Sequence, residues 1–369
     1  MLPAAIEAMR PWIEREFGNP SSLHEDGRRA KAAIDEAREA LAESLHCLFA
    51  EVLFTSSGTE AANLAILGSA LANMDGGRRR ILMSAVEHHC VLHTIPILNK
   101  LGFKVDLIPV DSEGVIDLNA LEVLVGDDVL LLSLMHANNE LGTLQPISEA
   151  SAIAKSHGVM IHCDAVQSYL SKDLSDIEAD LLTLSAHKVN GPKGAGAIYI
   201  RAGIKLQPVL VGGGQEREMR AGTEDVAAVA GFGAAVRAHC KDPSLMDGKK
   251  VLRDAFLDVL DGSSAVITVE DRHRTLGGHA HIRFPGFDAE TLLIALDQAG
   301  ISASSGAACS SGSLEPSHVL SACGYSPTEA KEGLRFTFGW PLMPEAAKEA
   351  AHRLLDVVAR IEATRASRR

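Results

Sequence analysis

The 369 residues suffice for one large domain plus a smaller one, and the composition (46 % hydrophobic, 22 % charged, 4 % aromatic) is that of an ordinary globular chain. A net charge of −13 argues against direct binding of bulk nucleic acid, which needs basic surface, but not against a small anion held locally. No apolar run reaches the roughly 18–20 residues of a membrane span, Met1–Arg10 lacks the pattern of a secretory signal, and the six cysteines show no CxxC spacing, so no membrane, disulfide framework or metal is expected and the setting reads as reducing and cytoplasmic.

Leu2–Arg15 reads as a helix broken by Gly18, Asn19 and Pro20. Ala30, Ala33, Ile34, Ala37, Leu41 and Leu45 recur at helical spacing in a second helix, Arg28–Leu45. Glu51–Thr55 is a short strand, and Ser56-Ser57-Gly58 leads into a helix over Thr59–Asn73. From there the chain alternates. Strands are predicted at Arg80–Ala85, Lys104–Val110, Val129–Leu134, Met160–Ala165, Leu181–Ser185 and Ala195–Ile200, with helices such as Leu92–Leu101 and Ser148–His157 between them. These short apolar runs lack the alternation of a half-solvated sheet and fit an open, mostly parallel α/β sheet buried on both faces.

A helix near Glu224–Cys240 leads into the polar stretch Lys241–Lys250, read as a hinge. Beyond it, Val266–Val269, Ala280–Phe284, a helix Ala289–Ala299, the run Ile301–Ser313 and a closing helix Glu345–Ala363 indicate a smaller α+β domain. The expected division is a large domain over 13–250 and a small one made of 1–12 and 251–369.

The chemistry gathers on a few stretches. Ser56-Ser57-Gly58-Thr59-Glu60 puts a glycine turn ahead of a helix, where N–H groups and the helix dipole suit a phosphate, although an ordinary Ser/Thr cap has the same pattern. Asp164, with Gln167 in HCDAVQS, ends a strand at the edge where open α/β sheets bind ligands; a buried Asp capping the next helix is the simpler alternative. Lys188, in SAHKVNGPKGAG, follows another strand on a glycine-rich turn, a position that a solvated lysine also fits. Together, a phosphate cradle, a strand-end Asp and a strand-end Lys fit pyridoxal phosphate. Lys188 forms the Schiff base, and Asp164 keeps the ring nitrogen protonated. Ser304–Ser313 surrounds Cys309 with small residues, which suits a thiol on a flexible arm, whereas Cys47, Cys90, Cys163, Cys240 and Cys323 read as small core residues.

These residues also carry a resemblance. FGNPSSLH, FTSSGTEAANLAI, VEHHCVL, HANNELGTLQP, CDAVQS, SAHKVNGPKGAGAIY, GGGQEREMRAGTED and SSGAACSSGSLEPSHVL occur in the order seen in the NifS/IscS-type cysteine desulfurases, from about Phe17 to about Gly339. The resemblance implies a fold-type I, pyridoxal-phosphate-dependent homodimer that takes sulfur from L-cysteine, leaving L-alanine and a protein-bound persulfide for a sulfur acceptor or iron–sulfur scaffold. By position, Lys188 would hold the cofactor, Asp164 its ring nitrogen and Gln167 its ring hydroxyl. His88 would stack on the ring and shuttle protons, including that of the Cys309 thiol, and Asn139 would lie beside cofactor and substrate. Gly58, Thr59, Ser185 and His187 would hold the phosphate, with Thr223 reaching from the other subunit, and Arg335 would clamp the substrate carboxylate through its planar fork. Glu87-His88-His89-Cys90 could be read as a metal cluster, but chain neighbours rarely point one way.

Two departures bear on the reading. Family members open with a strand and turn of the form YLDxAATTP, whereas this sequence starts at Met1-Leu2-Pro3 within the first helix, so either that turn is missing through truncation or the site is altered. Asp225 stands where relatives often have Asn. The rivals are a selenocysteine lyase, an aminotransferase or kynureninase-like enzyme with no need of Cys309, and a catalytically impaired homologue acting as a binding subunit.

Overall fold

Seven of the apolar runs become the strands of one sheet in the computed structural model, which describes residues 1–174, 177–306 and 316–367. In chain order, α1 (Pro3–Glu14) and α2 (Glu25–Ser44) precede β1 (Val52–Thr55) and α3 (Gly58–Ala72). Then come β2 (Arg80–Ser84), the short α4 (His89–Leu92) and α5 (Ile95–Lys100), β3 (Lys104–Ile108), α6 (Leu118–Leu124) and β4 (Val129–Met135). They are followed by α7 (Ile147–Ser156), β5 (Met160–Asp164), β6 (Leu181–Ser185), β7 (Gly196–Ile200) and α8 (Val226–Lys241).

The strand order is β1-β7-β6-β5-β4-β2-β3, parallel except where β7 runs against β1 and β6. Every residue of β4 and β6 is buried, as the lack of alternation predicts. Helix α3 covers one face, where Ala61, Leu64 and Ala65 pack on Leu53, Leu181 and Ile198, and Ala62, Ile66 and Ala70 pack with Ile81, Met83 and Leu131. Burying side chains of this size contributes about 1.5–3 kcal/mol each.

Chain contacts divide the protein into two units, which are described separately. The first holds 1–108, 118–136 and 146–243; the second holds 109–117, 137–145 and the chain from Ser244 onward. This differs from the expected division at both ends. Residues 1–12 belong with the sheet, because α1 lies on α8: Leu2 and Ala5 are buried, Leu2 N–H donates to Asn190 O at 2.8 Å, and Gly231 leaves room for Met9 where a Cβ would come within 2.7 Å. The supposed hinge Lys241–Lys250 is mostly helix, the opening of α9 (Ser244–Leu260).

In the second unit α9 is followed by β8 (Val266–Ile267), β9 (His279–Arg283), α10 (Ala289–Gln298), α11 (His318–Ala322), β10 (Gly333–Thr337) and α12 (Pro344–Ala366). Its antiparallel sheet, β10-β9-β8, packs Ala280, Ile282, Leu334 and Phe336 against Phe256, Leu292, Leu296 and Leu354 from α9, α10 and α12. The turn 137–145 joins this unit through Leu144 N–H to Arg274 O at 2.8 Å and Leu276 N–H to Gly142 O at 2.9 Å. Gly142 has φ +79 and faces His279 so closely that a Cβ would stand 2.6 Å away. No helix among the described residues is long and apolar enough to cross a membrane.

Candidate functional site

In a parallel sheet the chain leaves each strand at the same edge, and that edge collects the expected residues of the first unit. Asp164 is the last residue of β5, Ser185 the last of β6, and His88 follows β2 by a short turn. Gly58 starts α3 against them. A Cβ there would stand 2.8 Å from Val166 Cγ2, which would have to shift, and 3.5 Å from Ser185 Cβ, so glycine lets the helix begin close to the two strand ends without displacing Val166. Ser57 caps the helix by accepting Glu60 N–H, which leaves the first N–H groups of Gly58 and Thr59 directed out of the helix end. N–H groups so directed suit an anion.

Asp164 is 7 % exposed. Burial pushes its carboxyl up, and the Val166 N–H, accepted by Oδ1 at 2.9 Å, the Thr183 hydroxyl and the positive charge of Lys188 act the other way. A carboxyl so placed stays ionised when a further cationic donor meets it, as a pyridinium N–H does. Lys188 lies in the turn after β6 and is exposed. The turn closes at Asn190, which takes a left-handed conformation (φ 59, ψ 19), and Gly191 N–H returns to Ala186 O at 2.9 Å. Beside Lys188, His187 Nδ1 is 2.8 Å from Ser185 Oγ, and burial together with Lys188 and Lys193 holds its pKa down. Gln167 is half-buried in the turn after Asp164, and Thr59 is exposed at the helix start.

His88 Nδ1 accepts Cys90 N–H at 3.1 Å, capping α4. A neutral ring engaged in this way carries its proton on Nε2, where it is a donor. The expected task of His88, taking the Cys309 proton, would fall to Nε2, since Nδ1 is engaged by the cap.

Four residues outside the expected site shape this edge. Glu87 is fully buried, Oε1 accepts Met135 N–H at 2.6 Å, and burial, then the nearby Asp164 charge, pushes its carboxyl well up. Of the two buried carboxyls, Glu87 is pushed further towards its neutral form, since Asp164 has Val166 N–H, the Thr183 hydroxyl and Lys188 opposing its burial. Arg220 ties the RAGTED loop to Glu60 in the first turn of α3. Arg38 and Glu216, buried at 3 % and 6 % exposure, form a two-pronged ion pair at 2.6 and 2.8 Å, and Glu216 also accepts Phe54 N–H at 2.9 Å. This pins a loop in which Glu216, Arg217 and Glu218 all have positive φ. Beyond it, Thr223 is exposed, and Asp225 caps α8 by accepting Ala228 N–H at 2.9 Å, a task that Asn performs equally well.

Asn139 and Arg335 belong to the second unit. Arg335, on β10, donates Nη1–H to Asn139 O at 3.0 Å. The side-chain Oδ1 of Asn139, a residue only 8 % exposed, has no partner among the described residues. A buried oxygen of this kind costs about 1–3 kcal/mol until a donor meets it. Cys309 lies outside the described residues.

The aminotransferase class-V family pattern matches residues 1–341. The cysteine desulfurase IscS of Dictyoglomus turgidum is 43 % identical over 359 residues, covering 96 % of this chain and 90 % of that protein. The IscS-like cysteine desulfurase of Mycobacterium tuberculosis is 38 % identical over 370 residues, 98 % of this chain and 94 % of that one. Among solved structures, a NifS-like protein superposes with a TM-score of 0.89 at 32 % identity, covering 97 % of this chain and 96 % of that one. A structure of SspA in complex with cysteine gives 0.78 at 31 % identity, covering 92 % and 96 %.

Proposed function

Because the chain belongs to the class-V aminotransferase family, with IscS- and NifS-type cysteine desulfurases as its relatives, we propose that it takes sulfur from L-cysteine, leaving L-alanine and a persulfide on Cys309. It is a pyridoxal-phosphate-dependent enzyme of the cysteine desulfurase type. The observation that carries the reading is the buried carboxyl of Asp164 within electrostatic reach of Lys188, at the sheet edge where α3 begins.

The residues fit the cofactor. Asp164 would pair with its ring nitrogen, Gln167 with its hydroxyl, and Lys188 would hold it covalently. Gly58, Thr59, Ser185 and His187 would take the phosphate, with Thr223 of a second copy. When bound, pyridoxal phosphate supplies the electron sink for the substrate α-carbon.

The chain's own groups do the rest. Arg335 binds the substrate carboxylate beside Asn139. The Lys188 amine removes the α-proton, and His88 Nε2–H gives a proton and later recovers one. The Cys309 thiolate attacks the substrate sulfur: an S–S bond forms, the C–S bond breaks, and its electron pair stays with the alanine fragment, which is then protonated. A reducing, cytoplasmic setting belongs to this reading, since Cys309 must begin as a thiol. The persulfide would pass to an acceptor protein such as an iron–sulfur scaffold. A homodimer is supported by exposed Phe17 and Leu23, at 93 % and 90 %, and by exposed Thr223.

The test is to incubate the cofactor-loaded protein with L-cysteine and to measure alanine, sulfide and persulfide on Cys309. Alanine formation unchanged in Cys309→Ala removes the persulfide route. A preference for L-selenocysteine, with Cys309 dispensable, favours a lyase, and failure to bind pyridoxal phosphate favours a binding subunit.

A further inference from the structure

Glu140, in the turn that also carries Asn139, has no task in the scheme above, yet it is 2 % exposed. Its carboxylate Oε2 accepts the Ser317 hydroxyl at 2.6 Å. The same Oε2 occupies the space beside Gly306: a Cβ there would lie 1.8 Å from it and 3.3 Å from Ser317 Oγ. Gly306 and Ser317 flank the segment 307–315 on its two sides, so one buried carboxylate meets the chain just before Cys309's segment and again just after it.

Each partner is itself fixed. Ser317, 4 % exposed, uses its hydroxyl to accept Leu320 N–H at 3.2 Å and so caps α11. Asn138 Oδ1 accepts the N–H groups of Glu140 and Leu141 at 2.8 and 2.9 Å, which sets the turn. Two residues before Gly306, Ser304 pairs with Arg335 through both backbone groups, at 2.6 and 3.1 Å, and the Arg335 side chain holds Asn139 O. Asn139, Glu140, Arg335, Ser304, Gly306 and Ser317 therefore form one frame, with Glu140 as the point where the two flanks converge.

We propose that Glu140 is a positioning residue that clasps both flanks of the segment bearing Cys309 and references them to the Asn139–Arg335 pair. The proposal rests on the desulfurase reading for its catalytic consequence, not for its geometry. A reactive group displaced by about an ångström loses on the order of a hundredfold in rate, so the effect falls on the step Cys309 performs. Lys188-dependent proton removal uses neither the Glu140–Ser317 bond nor the approach of Glu140 to Gly306.

The test compares wild type, Glu140→Ala, Ser317→Ala and the double variant, all loaded with pyridoxal phosphate. Glu140→Ala should slow single-turnover persulfide formation on Cys309 by about 10- to 100-fold, while solvent exchange of the L-alanine α-proton stays within about twofold of wild type. The double variant should be no slower than Glu140→Ala, because both remove one contact. Amide hydrogen exchange, which needs no substrate, should show lost protection at Ser304 and around 317–320 in both single variants. Unchanged exchange there, or rate losses that multiply in the double variant, overturns the clasp. Should wild type make no alanine from L-cysteine, the desulfurase reading falls, and the exchange comparison still decides the clasp. If Glu140→Ala does not fold, Ser317→Ala and Gly306→Ala carry the same comparison, and wild-type exchange in both overturns it.

Discussion

Arg220 Nε donates to Glu60 Oε1 at 2.7 Å, so the loop leading to Thr223 is tied to the first turn of α3. Burial alone would raise the Glu60 carboxyl; hydrogen bonds from Arg220 and Ser56 outweigh it and hold it down. A charged Glu60 would repel the phosphate proposed for this helix end unless a cation such as Arg220 offset it. Arg220→Ala should weaken pyridoxal phosphate binding by about three- to tenfold. Titration of the apoprotein followed by absorbance measures this, and Glu60→Gln in the same background should restore part of the loss.

His88 caps α4 through Nδ1, and the proposed proton transfer would use Nε2 of the same ring. Asn places an oxygen near the Nδ1 position, so His88→Asn keeps the cap, whereas His88→Ala loses it at a cost of about 0.5–2 kcal/mol. Both should lose about 10²- to 10⁴-fold in turnover. Thermal melts beside steady-state rates separate the tasks: equal stability of the two variants would remove the capping role.

Glu87 and Asp164 share one buried region, and burial raises the carboxyl of each. Since the folded-state pKa of Glu87 is raised, its share of stability is complete below the ordinary carboxylate range and falls as pH rises towards the folded value. Glu87→Gln does not titrate, so its melting temperature relative to wild type should climb from pH 5 to pH 8 (an interval of about three pH units). Asp164→Asn should instead leave folding nearly intact and abolish most turnover with the cofactor bound.

His162 is fully buried, Nδ1 lies 2.8 Å from Ser133 Oγ, and burial pushes its pKa down to about 3. Its neutral form supports folding above the unfolded pKa of about 6.5, and that support is lost as pH falls towards the folded value, at about 1.4 kcal/mol per pH unit. His162→Asn keeps a polar partner for Ser133 without a titrating ring. Its stability-versus-pH curve should be flatter than wild type by one proton between about pH 6.5 and pH 4, readable from urea melts across that interval.

The positions of Asp164, Lys188 and Gly58 at element ends were legible in the sequence, because each stands where an apolar run meets a turn and the period of the pattern marks that junction. Parallel pairing then brings such junctions to one edge. The Arg38–Glu216 pair was not legible, since its members are 178 residues apart and neither falls at a junction. The stretch Lys241–Lys250, which holds the opening of α9, reads as a hinge because it is polar, although Leu252, Phe256, Leu257 and Leu260 further along are buried at helical spacing. The placement of residues 1–12 depends on α8, a partner more than two hundred positions away. Glu140 was hidden for the same reason, its contacts being with residues far along the chain.

Gly196 on β7 faces the turn before α3, where a Cβ would come within 2.4 Å of the Ser57 carbonyl carbon. With Gly58 facing Val166 Cγ2, where a Cβ would come within 2.8 Å, the start of α3 meets close neighbours on two sides. Substitution at either glycine would shift the anchor for the anion while the hydrophobic interior stayed filled. Changes of substrate or acceptor in such a scaffold must then come from the turns around this seat, because the seat has no lateral play in which to drift.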